Sequence, residues 1–131
     1  MAQSIIRVRD VMQTEILSID GMETTKQAAA VMREHGVSEL LVDKRSGDDA
    51  WGIVTISDLV REVIVPDKKS TDVCVYEIMT KPIITVPAQM DIRYAIRLID
   101  RTGVHRAPVE HMGEIVGMVT LSSLILDNDF F

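Results

Sequence analysis

The sequence predicts an α+β fold, mixed in helix and strand, built from two copies of one β-α-β-β-α unit. Three observations predict it. Residues 52–58 read GIVTISD and residues 117–123 read GMVTLSS, one phrase written twice with its charge dropped the second time. The match runs backwards from there at an offset of 67: Met12 falls on Met79, Ala28 on Ala95, Gly36 on Gly103, Val37 on Val104 and Val42 on Val109. Conservative pairs such as Val11 with Ile78 and Val31 with Leu98 fill the gaps. Within each copy, short apolar segments bounded by turn residues alternate with stretches of helical spacing.

Each element has a local reason. The extended segments ILSI (16–19) and IITV (83–86) open the copies. A helix follows, with Thr24 and Gln27 in a capping-box pattern and Asp91 as the matching N-cap of the second copy. Ala28, Val31 and Met32, and then Ala95, Leu98 and Ile99, recur at helical spacing. Gly36 and Gly103 follow the last turns, where a left-handed C-cap suits glycine. Strands ELLVD and RAPVE come next, then a turn, then strands GIVTI and GMVTL. The first turn, KRSGDDAW, is polar and two residues longer than its counterpart, so the offset falls to 65. A final helix is expected from Ser57 in one copy and Ser122 in the other. The copies span residues 9–62 and 76–127 of a single module covering 1–131. Residues 63–75, with Pro66 and the polar DKKSTD stretch, read as a surface linker.

Composition narrows the function. A chain of 131 residues with 47% apolar content folds around a core of Val, Ile, Leu, Met and Ala. No apolar run approaches the roughly 20 residues that a spanning helix needs, and the start lacks a signal-peptide core. Cys74 stands alone, which fits a reducing, cytoplasmic setting. A net charge of −6 argues against nonspecific nucleic-acid binding. His35, His105 and His111 have no zinc-like spacing, so no metal or cofactor is expected. Walker, Gly-x-Ser-x-Gly and Cys-x-x-Cys motifs are absent, and no nucleophile has a positioned base, so catalytic residues are expected to be none.

The marks VRDVM and VYEIMTKP, GVSELLV and GVHRAPV, GIVTISDL and GMVTLSSL stand in order and at constant spacing. Together they resemble the cystathionine β-synthase (CBS) domain family, in the tandem form called a Bateman module, over nearly the whole chain. The resemblance implies two repeats packed about a pseudo-two-fold axis, with two clefts that commonly hold adenosine-containing ligands. Thr55-x-x-Asp58 stands where a strand turns into a helix, whose first N–H groups favour an anion. Thr55 or Ser57 could cap that helix or bond a phosphate, and the Asp58 carboxylate could hold both hydroxyls of a ribose. The same residues also make an ordinary helix start.

By the family pattern, Thr55, Ser57 and Asp58 would face Ile84, Thr85, His105 and Arg106, the last two as phosphate donors. Read without the family, His105 is a packed ring and Arg106 a solvated strand-end charge. The mirror cleft would combine Leu17, Ser18, Ser38 and Glu39 with Thr120, Ser122 and Ser123. It has no ribose carboxylate and carries a repelling Glu39, so it reads as degraded. The implied function is regulatory: a module sensing AMP, ADP, ATP or S-adenosylmethionine and signalling to a partner protein that the sequence does not identify. The alternative is a ligand-free structural dimerisation module. A homodimer is expected through Leu59, Val60, Val63, Ile64, Leu124, Ile125 and Leu126. The apolar tail ending in Phe130 and Phe131 is expected to dock on the partner subunit.

Overall fold

A computed structural model of the chain describes residues 5–81, 83–104 and 106–128. His105, Phe130 and Phe131 lie outside the described residues. The elements run α1 (Val8–Val11), β1 (Ser18–Ile19), α2 (Thr25–His35), β2 (Glu39–Val42), β3 (Gly52–Thr55) and α3 (Ile56–Leu59), then β4 (Val86–Pro87), α4 (Ile92–Thr102), β5 (Arg106–His111), β6 (Glu114–Thr120) and α5 (Leu121–Leu126). The α+β class and the repeated β-α-β-β-α order hold. The opening strands are shorter than ILSI and IITV suggested, at two residues each.

The long helices start and stop where their caps dictate. Thr24 Oγ1 accepts the Gln27 N–H at 3.1 Å, and Asp91 Oδ1 accepts the Arg93 N–H at 2.9 Å. Gly36 and Gly103 close the helices at φ 64° and 77°, the left-handed region a side chain would resist. Each helix buries one stripe, Ala28 and Met32 in α2, and Ile92, Ala95 and Ile99 in α4.

Two compact units result, each with a three-stranded sheet. One is continuous, Leu17–Ile83, with strand order β1-β2-β3. The other joins the N-terminal segment up to Ile16 to the chain from Ile84 onward, with order β4-β5-β6. In both, the first pair is parallel and the second antiparallel. The second hairpin turns on Met112 and Gly113, both at positive φ, as a tight two-residue turn requires.

The segment that leads each repeat packs on the body of the other repeat. In the first of these exchanges, Val8 and Arg9 of α1 donate to the carbonyls of Met90 and Ala88 at 2.9 and 3.0 Å, and Gln13 and Met118 exchange both backbone bonds at 2.8 Å. In the second, a single 3₁₀ turn, Val75–Glu77, takes the matching place. Val75 and Tyr76 donate to Glu23 and Gly21 at 2.8 and 2.9 Å, and Ile53 and Thr80 exchange both bonds at 2.9 Å. Val8 and Val75 are fully buried, one in each core. The crossings explain the glycine that begins both copies of the phrase. A Cβ at Gly117 would stand 2.7 Å from the Gln13 carbonyl oxygen, and one at Gly52 would stand 2.9 Å from Met79 Sδ.

Three expectations change here. The final helices start at Ile56 and Leu121, one residue before Ser57 and Ser122, because Thr55 and Thr120 are the caps. The apolar faces of these helices also divide. Leu59, Val63 and Leu124 belong to the cores, while Ile56, Val60 and Ile64 stay exposed. Helix α3 continues as a π-helical turn, Val60–Ile64, in which the Val65 N–H reaches the Val60 carbonyl at 2.9 Å. The linker is exposed over residues 64–69 and again at Thr71 and Asp72, while Val63 at its start is buried. Its end is anchored, with Val73 buried and the Thr25 N–H and Oγ1 donating to the carbonyls of Val73 and Ser70.

Candidate functional site

Asp58 is one of three buried polar residues among the described ones, at 5% exposure, with Thr25 and Ser123. It sits at the third position of α3, one turn past the strand end. Thr55 and Asp58 form a reciprocal cap: Asp58 Oδ2 accepts the Thr55 N–H at 2.9 Å, and Thr55 Oγ1 accepts the Asp58 N–H at 3.2 Å. The Ile56 N–H donates to the Ser38 carbonyl at 3.0 Å. The helix start thus has fewer N–H groups open to an anion than its sequence suggests.

Position 123 repeats this arrangement with a hydroxyl. The Thr120 N–H donates to Ser123 Oγ at 3.0 Å, and the Ser123 N–H donates to Thr120 Oγ1 at 2.9 Å. The Ser123 hydroxyl proton goes to the Thr120 carbonyl at 3.0 Å. Serine therefore commits its one side-chain oxygen and its one proton to the cap. Aspartate satisfies the same cap with one oxygen and keeps a second acceptor, Oδ1. The dropped charge is a difference of one surplus oxygen.

That oxygen has a partner that the sequence reading missed. Arg61 Nη2 donates to Asp58 Oδ1 at 2.6 Å, and Arg61 Nε donates to Glu62 Oε1 at 3.2 Å. Glu62 first and Asp58 second hold the guanidinium proton more firmly than usual. The Arg61 side chain is 62% exposed, whereas that of Asp58 is 7% exposed. The signal was available, since opposite charges at i and i+3 on a helix are neighbours.

The remaining site residues fall into local groups. In the continuous unit, β2 pairs with β3 so that Glu39 stands opposite Thr55. Thr55, Asp58, Ser38 and Glu39 are thus neighbours, and Ser38 Oγ donates to Glu39 Oε2 at 2.9 Å. Ser57 is exposed and takes no part in the cap's hydrogen bonds, while Leu17 and Ser18 lie along β2 through the Leu41 N–H to Leu17 carbonyl bond. In the other unit, Arg106 stands opposite Thr120, which brings it beside Thr120 and Ser123, with Ser122 exposed. Thr85 is half-buried and its hydroxyl donates to Glu110 Oε2 at 3.1 Å, so Glu110 is a second missed partner. Ile84 is exposed. Thr85, Gln89, Glu110 and His111 line an open depression of about 290 Å³ in this unit. Among the described residues, no three His, Cys, Asp or Glu side chains converge as metal ligands would. No helix among them is long and apolar enough to cross a membrane.

Comparison with known proteins bears on this geometry. The family model described as CBS domain matches residues 8–65 and 75–126. An uncharacterized protein of Methanopyrus kandleri is 31% identical over 121 residues, covering 92% of this chain and 61% of that protein, so the chain spans about three fifths of that relative's length. The hexameric CBS-CP12 protein from bloom-forming cyanobacteria superposes with a TM-score of 0.87 at 30% identity, over 96% of this chain and 73% of that one. An uncharacterized conserved protein from Pyrococcus horikoshii superposes with a TM-score of 0.81 at 28% identity, over 95% and 92%.

Proposed function

This chain belongs to the CBS domain family, and on that premise we propose that it is a regulatory module that binds an adenosine-containing ligand through Asp58. The observation that carries the proposal is the surplus carboxylate oxygen. Asp58 is buried and held in place by its own helix cap, so its position needs no ligand to set it. Its Oδ1 is engaged by an exposed side chain alone among the hydrogen bonds described. A carboxylate accepts and never donates, which suits a vicinal diol that offers two O–H donors. Ser123 presents no such surplus, so binding is expected at one of the two duplicated positions. The ligand is AMP, ADP, ATP or S-adenosylmethionine, all of which carry the ribose diol. The module catalyses nothing itself. It works in the cytoplasm and transmits occupancy to a protein on another chain or elsewhere in a longer one.

A second reading is a ligand-free dimerisation module. It is favoured by the exposed stripe of Ile56, Val60 and Ile64, at 44%, 46% and 68% exposure, on one face of α3 and its π turn. Self-association also has precedent in the hexameric relative. The two readings are separated by thermal shift and calorimetry with the four compounds. Saturable stabilisation by any of them, absent in Asp58→Ala, supports the sensor. No response to any, with a dimer in sedimentation, supports the second reading.

A further inference from the structure

We infer that Arg61 is an internal occupant of the ligand position on Asp58, a side-chain latch that a ribose diol must displace. The inference rests on the adenosine reading above and names what regulates the affinity of that same site. Three observations carry it. First, the guanidinium is held at Asp58 Oδ1, the oxygen left over from the helix cap. A diol seeking both carboxylate oxygens meets the backbone N–H of Thr55 at one and Arg61 at the other. The backbone donor is fixed by the strand, whereas the arginine is on a 62% exposed side chain and can leave. Second, Arg61 has somewhere to go. Its Nε already bonds Glu62 at 3.2 Å, so the charge keeps a carboxylate partner after it releases Asp58. Third, the duplication loses both halves of the pair together. At the offset of 65, Asp58 corresponds to Ser123 and Arg61 to Leu126, which is 66% exposed. An arginine serving only the solubility of the helix would have no reason to follow the aspartate.

The latch predicts a direction that a simple ligand contact does not. Removing Arg61 frees Oδ1 and should tighten binding of an uncharged adenosine, which has no phosphate for the arginine to meet. Exposed ion pairs are weak, so the gain should be about twofold to fivefold. The experiment is calorimetry of adenosine and AMP with the full chain as wild type, Arg61→Ala, Arg61→Gln and Asp58→Ala. Melting without ligand verifies that each variant is folded. Tighter adenosine binding in both Arg61 variants supports the latch. Equal or weaker adenosine binding in them overturns it and leaves the adenosine reading standing. Adenosine and AMP binding that survive Asp58→Ala overturn the placement of the ligand on that carboxylate, and the latch with it. If no protein in the set binds adenosine, the latch is overturned whether or not AMP binds, and the adenosine reading falls with it only if ADP, ATP and S-adenosylmethionine also fail to bind.

Discussion

The glycines that begin the duplicated phrase should respond unequally to alanine, and the structure sets the order. At Gly117 the new methyl would lie 2.7 Å from the Gln13 carbonyl oxygen and 2.7 Å from Met12 Sδ. The sulfur can rotate away, but the carbonyl is fixed. It accepts the Met118 N–H at 2.8 Å, within a pair that Gln13 and Met118 exchange in both directions. Relieving the clash means pushing the N-terminal segment off the strand. That forfeits two backbone hydrogen bonds at about 1 kcal/mol each, and overpacking adds roughly 1–3 kcal/mol. Reduced freedom of the unfolded chain returns about 0.4–1 kcal/mol. The net loss is about 2–5 kcal/mol, or a fall in Tm of roughly 8–20 °C. At Gly52 the closest atom, at 2.9 Å, is the thioether of Met79, the mobile end of a side chain. The fixed neighbours, the Thr80 carbonyl oxygen and Val42 Cβ, stand at 3.3 Å, so Gly52→Ala should cost about 1 kcal/mol or less. Urea unfolding of the two variants measures the difference. Equal losses, or a larger loss at Gly52, would refute the reasoning that a crossing backbone sets the need for glycine.

Further outcomes follow from the site and the surface. Asp58→Ala should abolish nucleotide binding and lower stability by about 1 kcal/mol through the lost cap, whereas Ser123→Ala should leave the affinity unchanged; calorimetry and ligand-free melting separate the two effects. AMP should bind at least about tenfold better than its 2′-deoxy analogue, because the deoxy compound forfeits a hydrogen bond to a charged carboxylate, and equal affinities would remove Asp58 from the ribose. Ile64→Asp should shift the chain toward monomer in sedimentation at tens of micromolar without lowering Tm, since Ile64 is exposed whereas Val63 beside it is core. Asp49 is held down to about 2 by Lys81, which bonds it at 2.5 Å, and by the Arg45 N–H. As pH falls from about 4 toward about 2, the unfolded chain takes up this proton first, so stability drops; Asp49→Asn should flatten that part of the acid profile in urea titrations.

Local chemistry was legible in the sequence and long-range chemistry was not. Thr24, Asp91, Gly36 and Gly103 could be assigned because a cap is settled within four residues of itself. Repetition supplied the element order, since each copy vouches for the other. The exchange of leading segments was hidden because nothing near Val8 or Val75 says which repeat will bury it. The helix faces were misread for a related reason. Leu59, Val60, Val63 and Ile64 are all apolar, and only packing distinguishes the inward Leu59 and Val63 from the outward Val60 and Ile64. Asp58 and Thr55 were singled out together, and the structure joins them in a helix cap, but the reading left the aspartate without its neighbour Arg61.

The exchanged segments also order events in time. Residues 17–83 form a unit whose parts are all present once that stretch has left the ribosome. The N-terminal segment emerges earlier but has nothing to pack on. Arg7 reaches the carbonyl of Gln89, 82 positions later, and Gln13 pairs with Met118. Residues 7–13 are thus made before the first unit and seated after it. During synthesis Val8 and its neighbours stay uncovered until the strands after Ile84 emerge, the form in which a nascent chain is open to a chaperone or to the same segment of a neighbouring copy.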